Sequence, residues 1–162
     1  ESLNTLVTIR KPVNPYKNQR IRQLLIRSKQ FNTNPNFLQN SSNLDQDSVY
    51  TLDLSDIHGS LGLIGVLITT TNNSNFHLSQ SVLSCRAFSR DIEYVLINLA
   101  LCKWKESKIP KFMIEFDKIL PQETYSYKFF SSNNFPLNTL LTHKDIQKLN
   151  FKEPSHIQIK YE

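Results

Sequence analysis

Few groups in this sequence are able to do covalent chemistry, and Cys85 is the foremost of them. It stands where an alternating apolar stretch, Phe76 to Cys85, gives way to a helical pattern, with Arg86 beside it. A helix N-terminus and a neighbouring guanidinium both favour a thiolate. A thiolate so placed can accept an acyl group. The alternative for a free cysteine is a small buried apolar side chain. Cys102 falls on an apolar helical stripe and is expected in the core. His77 shares strand parity with Cys85, but eight residues at roughly 3.3 Å each put them about 26 Å apart, beyond proton transfer. A base for the thiol must come from another element. His58, in a turn that carries glycine, is the best placed of the other histidines; the alternative is a solvated loop histidine. Asp56 either positions a substrate or caps that turn. His143 and His156 read as structural. Four scattered histidines and two cysteines make neither a zinc site nor a disulfide framework.

The rest of the composition sets bounds. A chain of 162 residues, 39% hydrophobic and 20% charged, reads as one globular domain. No apolar run approaches the roughly 18 residues of a membrane-spanning helix, and no basic start leads into an apolar stretch as in a signal peptide. The chain opens at Glu1 without an initiator Met and is expected to be a piece of something longer. The glycines, Gly59, Gly62 and Gly65, sit together, which excludes a Gly-rich phosphate loop elsewhere. Nineteen Lys and Arg against 14 Asp and Glu give a net charge of +5. That suits an acidic partner and is too weak to indicate nucleic acid. No membrane partner is expected, and two cysteines fit a reducing cytoplasm.

The elements that must position these groups follow from pattern. Leu3 to Ile9 reads as a strand. Asn14-Pro15 reads as a helix start, followed by Tyr16 to Lys29 with Ile21, Leu24 and Leu25 at helical spacing. Phe31 to Leu44 reads as a loop or a broken helical turn. Val49 to Leu54, Leu63 to Thr70 and Phe76 to Cys85 read as three strands, with a turn at Asn72-Asn73-Ser74-Asn75. In the third, Phe76, Leu78 and Val82 are expected on one side and His77, Ser79, Ser81 and Leu83 on the other. Asp91 to Lys105 is the clearest helix, its stripe being Ile92, Val95, Leu96, Leu99 and Cys102, with Trp104 at the margin. Phe112, Ile114 and Phe116 form a fourth core strand. Gln122 to Phe130 is a short helix. Leu137 to Leu141 and Ile157 to Tyr161 are further strands. The fold class is α+β, a mixed sheet flanked by helices, in a single domain over residues 1–162.

That element order resembles the GNAT acyltransferase fold. Several segments narrow the likeness. Arg20-Ile21-Arg22-Gln23-Leu24-Leu25 followed by Gln30-Phe31-Asn32 resembles the R-I-x-Q-L … N-Q-F-N signature of FkbH-like proteins. Leu54-Ser55-Asp56 with Gly59, Gly62 and Gly65 resembles their DRFGDNGxVG turn, and Leu83 to Arg90 their LSCRVLGRG segment. Pro154 to Ile159 is similar to the family's closing strand. The resemblance implies the C-terminal, GNAT-like half of such a protein, without the N-terminal HAD-type phosphatase half. Asp53 and Asp56 do not have the spacing of that half's D-x-D-x-T/V motif. It further implies loading of a short hydroxyacyl, glyceryl-type unit onto an acyl carrier protein in polyketide biosynthesis. The implied partners are that carrier protein and the phosphatase half. The implied substrate is the carrier's phosphopantetheine arm, with no tightly bound cofactor. Cys85, His58 and Asp56 become the expected catalytic residues. Gln30, Phe31, Asn32, Ser84, Arg86, Ser89 and Arg90 become the expected substrate and pantetheine contacts. Phe31 and Asn32 have a second reading as a core plug and a helix C-terminal cap. Arg20, Arg22, Arg27 and Lys29 make a basic helix suited to an acidic carrier-protein helix, or a solvated face.

The departures matter too. GNAT proteins hold the cofactor pyrophosphate with R/Q-x-x-G-x-G/A, where glycine permits close approach of backbone N–H groups. Here the aligned stretch is Arg86 to Asp91, and Ser89 and Asp91 stand in place of both glycines. Asp91 is expected to cap the following helix with its own carboxylate, so free coenzyme A should bind poorly. Ile57, His58, Ser60 and Leu61 replace family Arg, Phe, Asp and Asn. Asn34 to Phe37 stand where the family has Arg-Arg-Tyr. The Thr-x-Lys-Asn of the family is not intact near Gln122 to Tyr125. These changes keep open a catalytically inactive module that binds the carrier protein or the phosphatase half.

Overall fold

The computed structural model describes residues 4–40, 48–72 and 74–162. In chain order the elements are β1 (Leu6–Arg10), α1 (Gln19–Arg27), α2 (Phe37–Asn40), β2 (Ser48–Asp56), β3 (Gly59–Thr71), β4 (Asn75–Leu83), α3 (Ile92–Ser107), β5 (Lys111–Ile114), α4 (Tyr125–Ser132), α5 (His143–Leu149) and β6 (Gln158–Tyr161). The strands form one sheet in the order β5-β4-β3-β2-β1-β6. β1 to β4 are antiparallel neighbours, and the outer pairs β4–β5 and β1–β6 are parallel. The expected mixed α+β sheet is present. Leu3, Asn73 and the stretch 41–47 of the expected loop lie outside the described residues.

Each face of the sheet has its own core. Ile21, Leu24 and Leu25 of α1 pack on Val49, Val66, Ile68 and Val82. The other face carries α3, with Phe129, Phe130 and Ile146 of α4 and α5 closing over it. Ile21 and Leu25 are almost wholly buried, and burial of each such side chain contributes roughly 1.5–3 kcal/mol. The helix starts at Gln19, later than Asn14-Pro15 suggests. Asn14 and Pro15 open only a 3-10 turn, and the Asn18 side chain caps α1 by accepting the Ile21 N–H. α3 is buried more widely than one stripe. Glu93, Ile97, Leu101 and Trp104 are buried together with Ile92, Val95, Leu96 and Leu99 of the expected stripe, because helices and sheet cover it on opposite sides. Trp104 is fully buried, not marginal, and its indole N–H donates to the Ile109 carbonyl. Cys102 is exposed, on the side α3 leaves to solvent.

β4 departs from simple alternation. Ile68 faces Gln80 while Thr69 faces Leu78, so Ser79 is an extra residue, a β-bulge. The bulge reverses the faces. Phe76 and Leu78 point to the α3 core, but Val82, of the same parity, points to the α1 core. Strict period-two reading puts Val82 on the wrong side for this reason.

The bulge precedes a parting of strands. β5 pairs only with Asn75 to Leu78 of β4. Beyond that, the segment Phe31 to Thr33 enters the gap. Thr33 N–H donates to the Ser81 carbonyl at 3.1 Å, and Leu83 N–H donates to the Phe31 carbonyl at 3.0 Å. On its other side the Thr33 carbonyl accepts the Asp117 N–H at 2.8 Å. The chain thus supplies its own backbone partner to the free edge of β4. Leu137 to Leu141 is not a strand; only Leu141 bridges to Phe112. α5, absent from the sequence reading, starts with a capping box in which Thr142 and Asp145 bond reciprocally.

Candidate functional site

The turn from β4 into α3 is built residue by residue. Ser84 N–H donates to the Ile64 carbonyl at 2.7 Å, fixing where β4 ends. The Ser84 hydroxyl accepts the Arg86 N–H and caps a 3-10 turn, Cys85–Ala87, in which Ala87 is the buried anchor. Phe88 then stacks on Tyr125 with ring centroids 4.1 Å apart. Ser89 and Asp91 both adopt left-handed backbone, with φ of 63° and 62°. That conformation favours glycine. The loop therefore keeps a glycine-type path without its glycines.

Its polar groups are engaged within the chain. Asp91 occupies the N-cap position of α3, but its side chain makes no capping bond. The carboxylate turns instead to Lys152 Nζ at 2.9 Å, with His156 Nε2 at 3.6 Å. The expected competition of Asp91 for the helix N–H groups is therefore not what the structure has. The Ser89 N–H points to the Tyr125 hydroxyl at 3.4 Å, and that hydroxyl donates to the buried Glu93 carboxylate at 2.6 Å. Burial, then the Glu93 carboxylate, push the Tyr125 phenol up to about 12.

A cleft of about 440 Å³ opens between α1 and this turn. Arg20, Gln23, Leu24 and Arg27 supply its helical wall, Ser28 to Gln30 one end, and Leu83 to Arg86 with Phe88 the opposite wall. Cys85 is exposed and lines it. The buried alternative for Cys85 is therefore not realised. Gln30, Ser84 and Arg86 line the cleft with it.

The other expected site residues lie elsewhere. Phe31 and Asn32 are fully buried. Phe31 is a ring among Tyr125, Phe129 and Phe130. The Asn32 amide donates to the Leu25 and Ser28 carbonyls at the end of α1 and accepts from Gln80. Both take the core-plug and helix-cap roles, which withdraws them from contact with a ligand. Ser89 and Arg90 follow the cleft on the loop. His58 is exposed in the two-residue turn between β2 and β3, and it does not line the cleft. Asp56 caps that turn by accepting the His58 N–H at 2.8 Å, and it pairs with Arg90 at 2.8 Å. These bonds hold its carboxyl below the usual range, Arg90 contributing most. His77 pairs with Glu115 at 3.0 Å, consistent with a structural role. Among the described residues no group of three or more His, Cys, Asp or Glu is placed to hold a metal ion.

Arg20 and Arg27, expected on a basic face for an acidic carrier-protein helix or on a solvated face, both face the cleft. Their spacing with Gln23 and Leu24, i, i+3, i+4 and i+7, was the available signal. The Tyr125–Glu93 pair left no comparable trace.

No family model matches the chain, and no curated protein does. Solved structures do. An IAA acetyltransferase from Bacillus cereus superposes with a TM-score of 0.50 at 15% identity, over 67% of this chain and 64% of that one. An acetyltransferase from Bacillus subtilis, in complex with coenzyme A, gives a TM-score of 0.57 at 12% identity, over 78% and 74%. A GNAT family acetyltransferase from Elizabethkingia anophelis, with acetyl-CoA bound, gives 0.54 at 15%, over 76% and 74%. The chain thus has the GNAT acetyltransferase fold, and it spans just under two thirds of the length of the first of these neighbours.

Proposed function

We propose that this chain is an acyltransferase domain of the FkbH-like type, which passes a short hydroxyacyl unit onto the phosphopantetheine thiol of an acyl carrier protein. The observation that carries this is the exposed thiol of Cys85 in a cation-lined cleft on a GNAT fold. An acyl group held on Cys85 as a thioester is attacked at its carbonyl by the pantetheine thiol. The new C–S bond forms, the bond to Cys85 Sγ breaks, and the proton of the incoming thiol passes through solvent to the departing sulfur. Gln30, Ser84 and Arg86 border the reacting thiol. The outer side of α1, with Lys17, Arg22 and exposed Ile26, presents cations and one apolar contact to an acidic helix of the carrier.

A second reading rests on a different observation. Phe31 to Thr33 take the β4 edge, and the Ser89 N–H is directed to Tyr125. The same fold would then be an inactive module that docks the carrier protein or the phosphatase half.

One experiment separates them. Holo carrier protein is incubated with the domain, the phosphatase half and an acyl donor, and both proteins are weighed intact by mass spectrometry. Transfer that disappears in Cys85→Ala supports the acyltransferase. Carrier binding without any acyl mass on either protein leaves the docking module.

A further inference from the structure

We infer that the Gln30 side-chain amide and the Cys85 main-chain N–H together form an oxyanion hole for acyl transfer at Cys85. The inference deepens the acyl-transfer reading and rests on it.

Acylation of Cys85 builds negative charge on one oxygen. The thiolate attacks the donor's carbonyl carbon, the C–S bond forms, and the carbonyl electron pair moves onto oxygen. When that pair returns, the bond to the donor's leaving oxygen or sulfur breaks, and the leaving atom takes a proton from solvent. The oxyanion is stabilised by N–H donors already aimed at it. Main chain near the thiol is mostly spent. Leu83 N–H goes to the Phe31 carbonyl and Ser84 N–H to the Ile64 carbonyl. Arg86 N–H goes to the Ser84 hydroxyl, Ala87 N–H to the Ser84 carbonyl, Phe88 N–H to the Cys85 carbonyl and Ser89 N–H to the Tyr125 hydroxyl. From Leu83 to Ser89, Cys85 N–H alone has no acceptor among the described residues. It opens the 3-10 turn Cys85–Ala87, where the first N–H groups have no partner within the turn. A nucleophile's own N–H lies beside any carbonyl carbon bonded to its side chain, which suits it to this task.

The second donor comes from the facing segment. The antiparallel pairing that joins Asn32 to Val82 and Phe31 to Leu83 puts Gln30 opposite Ser84, one residue from Cys85. Gln30 is held by the start of α4. Its main-chain carbonyl accepts the Ser126 N–H at 2.8 Å, and its Oε1 accepts the Tyr125 N–H at 3.2 Å. Tyr125 in turn stacks on Phe88, just past the turn that carries the thiol. With Oε1 engaged, the amide can face only one way round, and its two Nε2 hydrogens are left over. They have no acceptor among the described residues, and Gln30 lines the same cleft as Cys85. A donor anchored at its other end needs little reorganisation as charge develops.

The test compares two reactions of one thiol, in a Cys102→Ser background because Cys102 is also exposed. Acylation by p-nitrophenyl acetate passes through an oxyanion; alkylation by iodoacetamide, a displacement at saturated carbon, does not. Both rates are taken on the high-pH plateau, where the thiol is fully ionised. Gln30→Glu keeps an acceptor for the Tyr125 N–H and loses the donors; Gln30→Met loses both. In each variant acylation should fall about a hundredfold while alkylation stays within about threefold. Thermal unfolding confirms that each is folded, and Cys85→Ala should abolish both reactions. Acylation at the parent rate, an equal fall in both reactions, or a parent Cys85 that the ester leaves unmodified overturns the oxyanion hole. A selective loss in the variants with no acyl group ever reaching the carrier protein sinks the carrier reading and leaves the hole standing. Carrier acylation that needs Cys85 but runs at full rate in Gln30→Glu does the reverse.

Discussion

Asp56 and Arg90 meet at 2.8 Å across the top of the sheet, joining the β2–β3 turn to the loop that enters α3. The Asp56 side chain is only 4% exposed, and its other oxygen accepts the His58 N–H. One carboxylate thus shapes its own turn and anchors a neighbouring loop.

Asp56→Asn should keep the turn, because an amide oxygen still accepts, and lose the anchor. Hydrogen exchange at residues 86–91 should quicken while β3 stays protected. The carboxyl is held low in the folded state, so its contribution is present above the ordinary carboxylate range and lost as pH falls through the lowered value. The difference in Tm between parent and Asp56→Asn should be full at neutral pH and shrink below about pH 4. A difference that persists unchanged to pH 2 would show the pair to be idle.

Ser89 and Asp91 hold glycine-type backbone with side chains that disfavour it. Ser89→Gly should relieve about 1 kcal/mol of strain, raising Tm by roughly 2–4 °C in a chain of this size. Combined with Asp91→Gly, which also removes a carboxylate, it should give saturable heat with coenzyme A in calorimetry, where the parent gives little. No gain in either measurement would mean that the loop is not under strain.

Tyr125→Phe removes the donor to the buried Glu93. An unsatisfied buried acceptor costs about 1–3 kcal/mol, readable by urea denaturation. The phenol is raised to about 12 from an ordinary 10. Its stabilisation is therefore complete below pH 10 and fades as pH rises through about 12. Ultraviolet titration of the parent should show a tyrosine ionising near pH 12 that is missing in Tyr125→Phe.

Phe31 and Gln30 are neighbours with opposite fates. Phe31→Ala empties a fully buried ring site and should cost about 3–5 kcal/mol. Gln30→Ala, at an exposed position, loses only the bond its amide oxygen accepts from the Tyr125 N–H at 3.2 Å and should cost about 0.5–1.5 kcal/mol. Similar losses at both positions would contradict the division between plug and cleft.

Much of this architecture is legible in the sequence. β3 announces itself as an apolar β-branched run, α3 as a helix, and Cys85 stands at the junction where the cleft forms. What escaped has identifiable causes. The bulge at Ser79 adds one residue to a strand, and no alternation rule sees it. Asn18 outcompetes Asn14 as a cap because its side chain reaches the Ile21 N–H. α5 was hidden in a polar stretch although its Thr142 and Asp145 carry the capping-box spacing. The sequence leaves Phe31 and Asn32 open between cleft contacts and a core plug with a helix cap, and the pairing of Phe31 and Thr33 with β4 selects the inward reading.

That pairing has a kinetic consequence. Phe31 and Leu83 are joined directly, across a loop of some fifty residues, whose closure is entropically costly and slow relative to local helix formation. The wall carrying Cys85 and the wall carrying Arg20 come together only when this distant contact closes. Folding intermediates with α1 and the β2–β3 hairpin already formed should therefore lack the cleft, and its appearance should coincide with the last cooperative step.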